Sequence, residues 1–97
     1  MKAIFITYGQ AYNQELVELL EKFGQRGFTS WEEIGGRGSV DGSPRYGNHA
    51  WPSMNNALLT VVDDSKVADI MAEIKKTDEI APDLGLRAFV WNIEECY

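Results

Sequence analysis

"NALLTVVDDSKVADIMAEI", residues 56–74, decides how the rest of the chain folds. Its first seven residues are nearly continuous in apolar side chains, the pattern of a strand buried on both faces. Asp63, Asp64 and Ser65 then offer helix caps, and Val67, Ile70, Met71 and Ile74 recur at helical spacing. A strand followed at once by an amphipathic helix is therefore expected. Toward the N-terminus, "KAIFITY" (2–8) reads as a strand rich in β-branched and aromatic residues. Gly9 to Tyr12 turns the chain, and Asn13 is placed to cap a helix whose Leu16, Leu19, Leu20 and Phe23 form one stripe before Gly24 ends it. "GFTSWEEI" (27–34) predicts a second strand, with Trp31 on one face and Ile34 on the other. Toward the C-terminus, "TDEIAPDLG" (77–85) breaks the second helix, and "LRAFVWNI" (86–93) supplies the last strand.

The order strand, helix, strand thus occurs twice. Right-handed crossovers put both helices on one face of a four-stranded antiparallel sheet. The expected fold class is α+β, ferredoxin-like βαββαβ, as a single domain over residues 1–97. Strands one, three and four are apolar on both sides, yet two helices cover only one side. The other face would show water more Ile, Val, Phe and Trp surface than a soluble monomer tolerates. Another copy of the chain is the simplest cover, so an oligomer is expected.

Composition narrows the function classes. The 97 residues are 44% hydrophobic and 25% charged, a mixture typical of folded soluble domains. A net charge of −6 argues against nucleic acid, whose backbone rewards Lys and Arg, and against an anionic membrane surface. The lone cysteine, Cys96, excludes an internal disulfide, and Glu94 and Glu95 beside it discourage a reactive thiolate. No run approaches the ~20 apolar residues of a membrane span. "MKAIFITYGQ" is too short in apolar residues for a secretory signal, so a cytoplasmic protein without membrane insertion is expected.

Residues 35–54, "GGRGSVDGSPRYGNHAWPSM", stand apart, with five glycines, two prolines and the only histidine. Structureless connections longer than ~12–15 residues are uncommon in compact domains and are usually functional or disordered. "GGRGS" (35–39) reads either as a nest of backbone N–H groups that holds an anion with help from Arg37, or as a plain glycine hinge. His49 has no Cys or acidic cluster near it in sequence, which makes it a poor metal ligand. Trp51 and Pro52 read as an anchor for the end of the loop, with stacking on an adenine-like ring as the alternative. Arg45 reads as a surface ion-pair partner. Glu32 and Glu33 fall on opposite faces of a strand and so form no catalytic pair. No Ser–His–Asp or Cys–His arrangement can be nominated.

The chain resembles the nitrogen-regulatory PII signalling superfamily, specifically its smaller PII-like members. The resemblance is carried by "MKAIFITYG", by "ELVELLEKFGQRGFTSWEEIGGRG" and by "LLTVVDDSKVADIMAEI". The stretch "YGNHAWP" is similar to a branch with Gly-x-His-x-Trp-Pro in its long loop. The resemblance implies a trimer without catalytic activity whose sheets face inward. It implies a small anionic effector, often an adenine nucleotide, in clefts between subunits. It also implies a loop, 35–54, that engages a regulated target such as a membrane transporter or an enzyme. The residues expected at the effector are Gly36, Arg37, Gly38, Ser39 and Arg87; those expected at the target are Tyr46, His49 and Trp51. Typical members carry T-G-x-x-G-D-G-K before the last strand, where this chain has "TDEIAPDLGLRAF" (77–89). Asp78, Glu79 and Asp83 there disfavour a triphosphate, and uridylylation of the loop is not expected. Two rival readings are a dimeric α+β barrel enzyme with His49 as general base, and a CutA-like trimer that binds metal.

Overall fold

The computed structural model describes residues 1–97. Strand β1 (Lys2–Gly9) leads through a 3-10 turn (Gln10–Tyr12) into helix α1 (Asn13–Lys22) and strand β2 (Thr29–Ile34). Strand β3 (Asn55–Val62), helix α2 (Asp64–Ile80), a second 3-10 turn (Pro82–Leu84) and strand β4 (Arg87–Asn92) complete the chain. The sheet order is β2-β3-β1-β4 with every pairing antiparallel, which is the ferredoxin-like arrangement. No helix is long and apolar enough to cross a membrane.

Alternation along each strand sorts side chains to two faces. Ile4, Ile6 and Tyr8 from β1 and Leu58 and Val62 from β3 point to one side. There they pack with Leu16 and Leu20 of α1 and with Ile70 and Ile74 of α2. This is the core, and both helical stripes read from the sequence lie in it, with Leu19, Phe23, Val67 and Met71 packed at its margin.

Local chemistry moves several boundaries away from the sequence reading. Asn13 does not cap α1: it is the first helical residue, and its Oδ1 accepts the Tyr8 hydroxyl at 2.6 Å and the Asn56 Nδ2 at 3.3 Å. At the other end of α1, Gly24 adopts φ 75° and its N–H donates to Glu21, while the Gln25 N–H reaches back to Leu20. That is the double bond of a Schellman stop. β2 begins at Thr29 rather than Gly27 because the Gly27 carbonyl is already taken, accepting from Thr60 Oγ1 and Gln25 Nε2. α2 continues to Ile80, past Thr77, since only Ala81, the residue ahead of Pro82, is forced out of helical geometry.

Strand β2 also carries a bulge. Trp31 pairs with Ala57 and Ile34 with Asn55, so three steps on one strand match two on the other. Trp31 and Ile34 consequently share a face, which corrects the strict alternation expected of them. Glu33 sits inside the bulge at φ 55°, and its N–H donates to Asn56 Oδ1.

The second face of the sheet has no helix over it. In register, its rows run Val61–Ala3–Trp91, then Leu59–Phe5–Phe89, then Trp31–Ala57–Thr7–Arg87, and finally Ile34–Asn55–Gly9. Trp31, Phe89 and Trp91 are 44%, 56% and 47% exposed. Phe5 meets Trp31 edge to face, with ring centroids 6.1 Å apart. The uncovered apolar face expected from the strand pattern is present, and it turns polar toward the end where residues 35–54 leave the sheet.

Candidate functional site

Residues 35–54 contain no long helix or strand, but they are pinned by backbone bonds. Gly36 and Arg45 exchange both N–H···O bonds at 2.9 and 2.8 Å, and Gly42 N–H donates to Ser39 to close the turn between them. A second reversal follows, with Gly47 bonded to Ser53 and Asn48 to Trp51. The Asn48 Oδ1 accepts from the Trp51 N–H at 2.8 Å. The Gln10 N–H then ties Met54 to the end of β1. The segment is two short hairpins in succession, with Pro44 buried at their join.

Arg45 links this segment to the rest of the domain. Its Nη2 donates to the Asp83 carbonyl in the turn before β4. Glycines make room for the guanidinium: a Cβ at Gly9 would lie 2.6 Å from Arg45 Nη1, and one at Gly85 would lie 3.3 Å from Nε. Gly38 rests on the Gly85 backbone, where a Cβ would come within 3.2 Å of the Gly85 carbonyl oxygen. Arg45 is therefore half-buried and bonded to backbone, not the surface ion-pair partner that the sequence suggested.

Two clefts flank this contact. The larger, about 580 Å³, lies between the first hairpin, Trp51 and the turn before β4. Arg45 and Arg87 line it, but so do Asp41, Asp78 and Asp83. Arg87 Nη1 is 3.8 Å from Asp78 Oδ1 and also donates to the Leu86 carbonyl at 2.6 Å. Both cations in this cleft are thus already engaged. The smaller depression, about 440 Å³, opens on the uncovered face of the sheet between the root of the loop and β4. Arg37 and Arg87 line it together with Thr7 and Asn55, and no acidic residue does.

The residues expected at an effector divide between these clefts. Ser39 lines the larger one, Gly36 and Arg37 line the smaller, and Gly38 and Arg87 line both. Of the residues expected at a target, Trp51 lines the larger cleft, whereas Tyr46 and His49 are exposed and line neither. No group of three or more His, Cys, Asp or Glu side chains comes together to hold a metal. Sequence reasoning singled out Arg45 but preferred a surface ion pair to its place in a cleft, and it missed Thr7 and Asn55. Only Asn55 leaves a trace in the sequence, as a polar residue immediately before a run of apolar ones.

Buried polar groups hold the sheet end that carries the loop. Burial raises the Tyr8 pKa above its usual 10.0; the hydrogen bond with Asn56 opposes that shift, and the Glu32 carboxylate adds to it.

The family model described as "Nitrogen regulatory protein P-II" matches residues 1–97. No curated protein matches the chain. Among solved structures, the chain is similar to CPII, a nitrogen regulatory PII-like protein from Thiomonas intermedia K12, in a structure bound to ADP, AMP and bicarbonate. The TM-score is 0.79 and the identity 18%, covering 95% of this chain and 84% of that one. The apo form of the same protein gives 0.74 at 16% identity, covering 95% and 87%. A protein from Thermus thermophilus described as PII-like gives 0.66 at 21% identity, covering 95% and 84%. At these identities the likeness shows the fold.

Proposed function

Because this chain belongs to the nitrogen regulatory protein P-II family, we propose that it is a PII-like signalling protein acting without catalysis. Three copies bury the apolar sheet face against one another, and a small anionic effector, an adenine nucleotide or a similar anion, binds in the clefts at their seams. Gly36, Arg37, Gly38, Ser39 and Arg87 contact the effector, and the Gly-x-His-x-Trp-Pro loop presents Tyr46, His49 and Trp51 to a regulated protein, a membrane transporter or an enzyme. One observation carries the reading: of the two cations of the larger cleft, Arg45 ties the loop to the turn before β4 and Arg87 ties β4 to Asp78 of α2, both through contacts that an anion would compete for.

The coupling follows from that competition. A phosphate entering the larger cleft draws Arg45 from the Asp83 carbonyl, because a bond to an anion outweighs one to a neutral carbonyl, and it competes with the Asp78 carboxylate for Arg87, whose 3.8 Å ion pair is long. The first hairpin is then free to settle differently. An effector that binds the two loop arrangements unequally shifts their populations, and no other input is needed. The neighbouring CPII structures bound to ADP, AMP and bicarbonate make those ligands the first to try. Nothing in the geometry favours the barrel-enzyme reading, since His49 is exposed and lines neither cleft.

Calorimetric titration with AMP, ADP, ATP, cyclic dinucleotides and bicarbonate tests the proposal, with hydrogen exchange across residues 35–54 read in parallel. Saturable binding of at least one effector, with altered exchange at Gly36, Arg45 and Gly47, is expected. Null heats for all of them with unchanged exchange would overturn it.

A further inference from the structure

Met54 ends the long loop, one residue before β3, and is half-buried. It takes no part in the core between sheet and helices, at whose margin Met71 packs. Its thioether lies on Gly47 instead: a Cβ at Gly47 would be 2.9 Å from Sδ and 3.0 Å from both Cγ and Cε. Gly47 has φ 65° and no side chain, so three consecutive atoms of the methionine cross its bare backbone. Both partners are anchored. The Met54 carbonyl accepts from the Gln10 N–H at 3.1 Å, and the Gly47 N–H donates to the Ser53 carbonyl at 3.2 Å. Asn48 N–H to the Trp51 carbonyl and Trp51 N–H to Asn48 Oδ1 complete the hairpin's own bonds. The thioether is thus an apolar strut under a hairpin that few hydrogen bonds hold.

We infer that Met54 is an oxidation site through which a hydroperoxide releases this hairpin. The sulfur attacks one oxygen of the peroxide and gives an electron pair to the new S–O bond. The O–O bond breaks, and the second oxygen takes the proton left on the first and departs as water, leaving the sulfoxide. A pliable apolar side chain thereby becomes polar and chiral. The new oxygen seeks water, yet it sits on the atom in contact with Gly47. Gly47 cannot give way alone, because its N–H is bonded and the turn fixes its φ. Lifting residues 47–53 off Met54 relieves the clash at the expense of the Gly47–Ser53 and Asn48–Trp51 bonds. The core keeps its contacts, since Met54 belongs neither to it nor to its margin.

Position makes the modification selective. Met54 sits among exposed residues, Gly47, Asn48, Pro52 and Ser53, which leave peroxide a path to it, whereas Met71 is packed against the core. Met1 is 53% exposed, but its amine pairs with Asp64 at the opposite end of β1, away from the loop. The inference rests on the proposed function only in taking this hairpin, with His49 and Trp51, as the face shown to a regulated protein. The oxidation itself needs no effector.

The test uses the full chain carrying Cys96→Ser, which removes the one thiol, without nucleotide. Dilute hydrogen peroxide is added, sulfoxide at each methionine is measured by peptide mass spectrometry, and amide exchange is read along the chain. Met54 should oxidise well before Met71. Exchange at Gly47, Asn48 and Trp51 should rise about tenfold, the factor expected for the loss of one backbone bond, while β1 and β3 stay within about twofold. The two methionine sulfoxide reductases, one for each epimer, should restore the protection. Met54→Leu, close in volume but without sulfur, should not respond to peroxide, and the polar Met54→Gln should show the raised exchange without it. Met54 oxidising no faster than Met71 would overturn the proposal, as would complete Met54 sulfoxide with unchanged exchange. A peroxide response that persists in Met54→Leu, or a fully protected hairpin in Met54→Gln, would also overturn it. ADP that fails to bind the reduced chain while the peroxide response is intact counts against the effector reading alone.

Discussion

At the scale of single residues, the loop's root depends on a few polar groups inside an apolar frame. Tyr8 donates to Asn13, Asn13 also accepts from Asn56, and Asn56 accepts the Glu33 N–H. The network joins the end of β1, the start of α1 and the bulge in β2. Tyr8→Phe should remove ~0.5–1.5 kcal/mol, the usual net worth of one such bond, as read by urea unfolding at neutral pH. The Tyr8 pKa is raised in the folded state, so the native protein holds this proton more tightly than the unfolded chain does. The stabilisation this supplies is complete below pH 10.0, the unfolded value, and is lost as pH rises through the folded pKa. The stability difference between wild type and Tyr8→Phe should therefore shrink above pH 10.0. A difference constant across that range would contradict the role given to Tyr8. None of this network is legible in the sequence: Asn13 looks like a helix cap because it precedes an amphipathic run, and only the closeness of Tyr8 and Asn56 turns it inward.

At the scale of elements, the two helices and four strands follow from periodicity because burial alone places them. Leu16 and Leu20, or Ile70 and Ile74, need only face the sheet, and any reading of the apolar stripe finds them. The bulge is different. It adds one residue at Glu33 and so brings Trp31 and Ile34 to the same face, a change of register that residue types do not announce. A non-glycine residue at φ 55° carries a steric cost that glycine avoids. Glu33→Gly should stabilise the fold by up to ~1 kcal/mol, seen as a higher urea midpoint with an unchanged slope. A lower midpoint would show that the Glu33 side chain contributes more than its backbone strain costs. The loop offers the same lesson. Its glycines are visible in the sequence, but their purpose is not, because Gly38 and Gly85 lie 47 positions apart and meet only through the fold. The partner of Arg45 was invisible for the same reason, since it is a backbone carbonyl and not a charged side chain.

At the scale of the whole molecule, one face of the sheet is packed and the other is not. Trp31, Phe89, Trp91, Phe5, Leu59 and Val61 form contiguous rows that no helix of the same chain covers. This feature was legible in the sequence, because it follows from counting apolar strand faces against available helices. Burial of apolar surface at ~25 cal/mol per Å² gives association a driving force. The seams so formed would bring the clefts near Arg37, Arg45 and Arg87 against a neighbouring copy. Sedimentation equilibrium of the purified chain at micromolar concentration measures this most directly, alongside Phe89→Glu, which puts a charge in the middle of the rows. A particle of three 10.9 kDa chains, dispersed by Phe89→Glu, is the predicted result; a wild-type particle of one 10.9 kDa chain would contradict it.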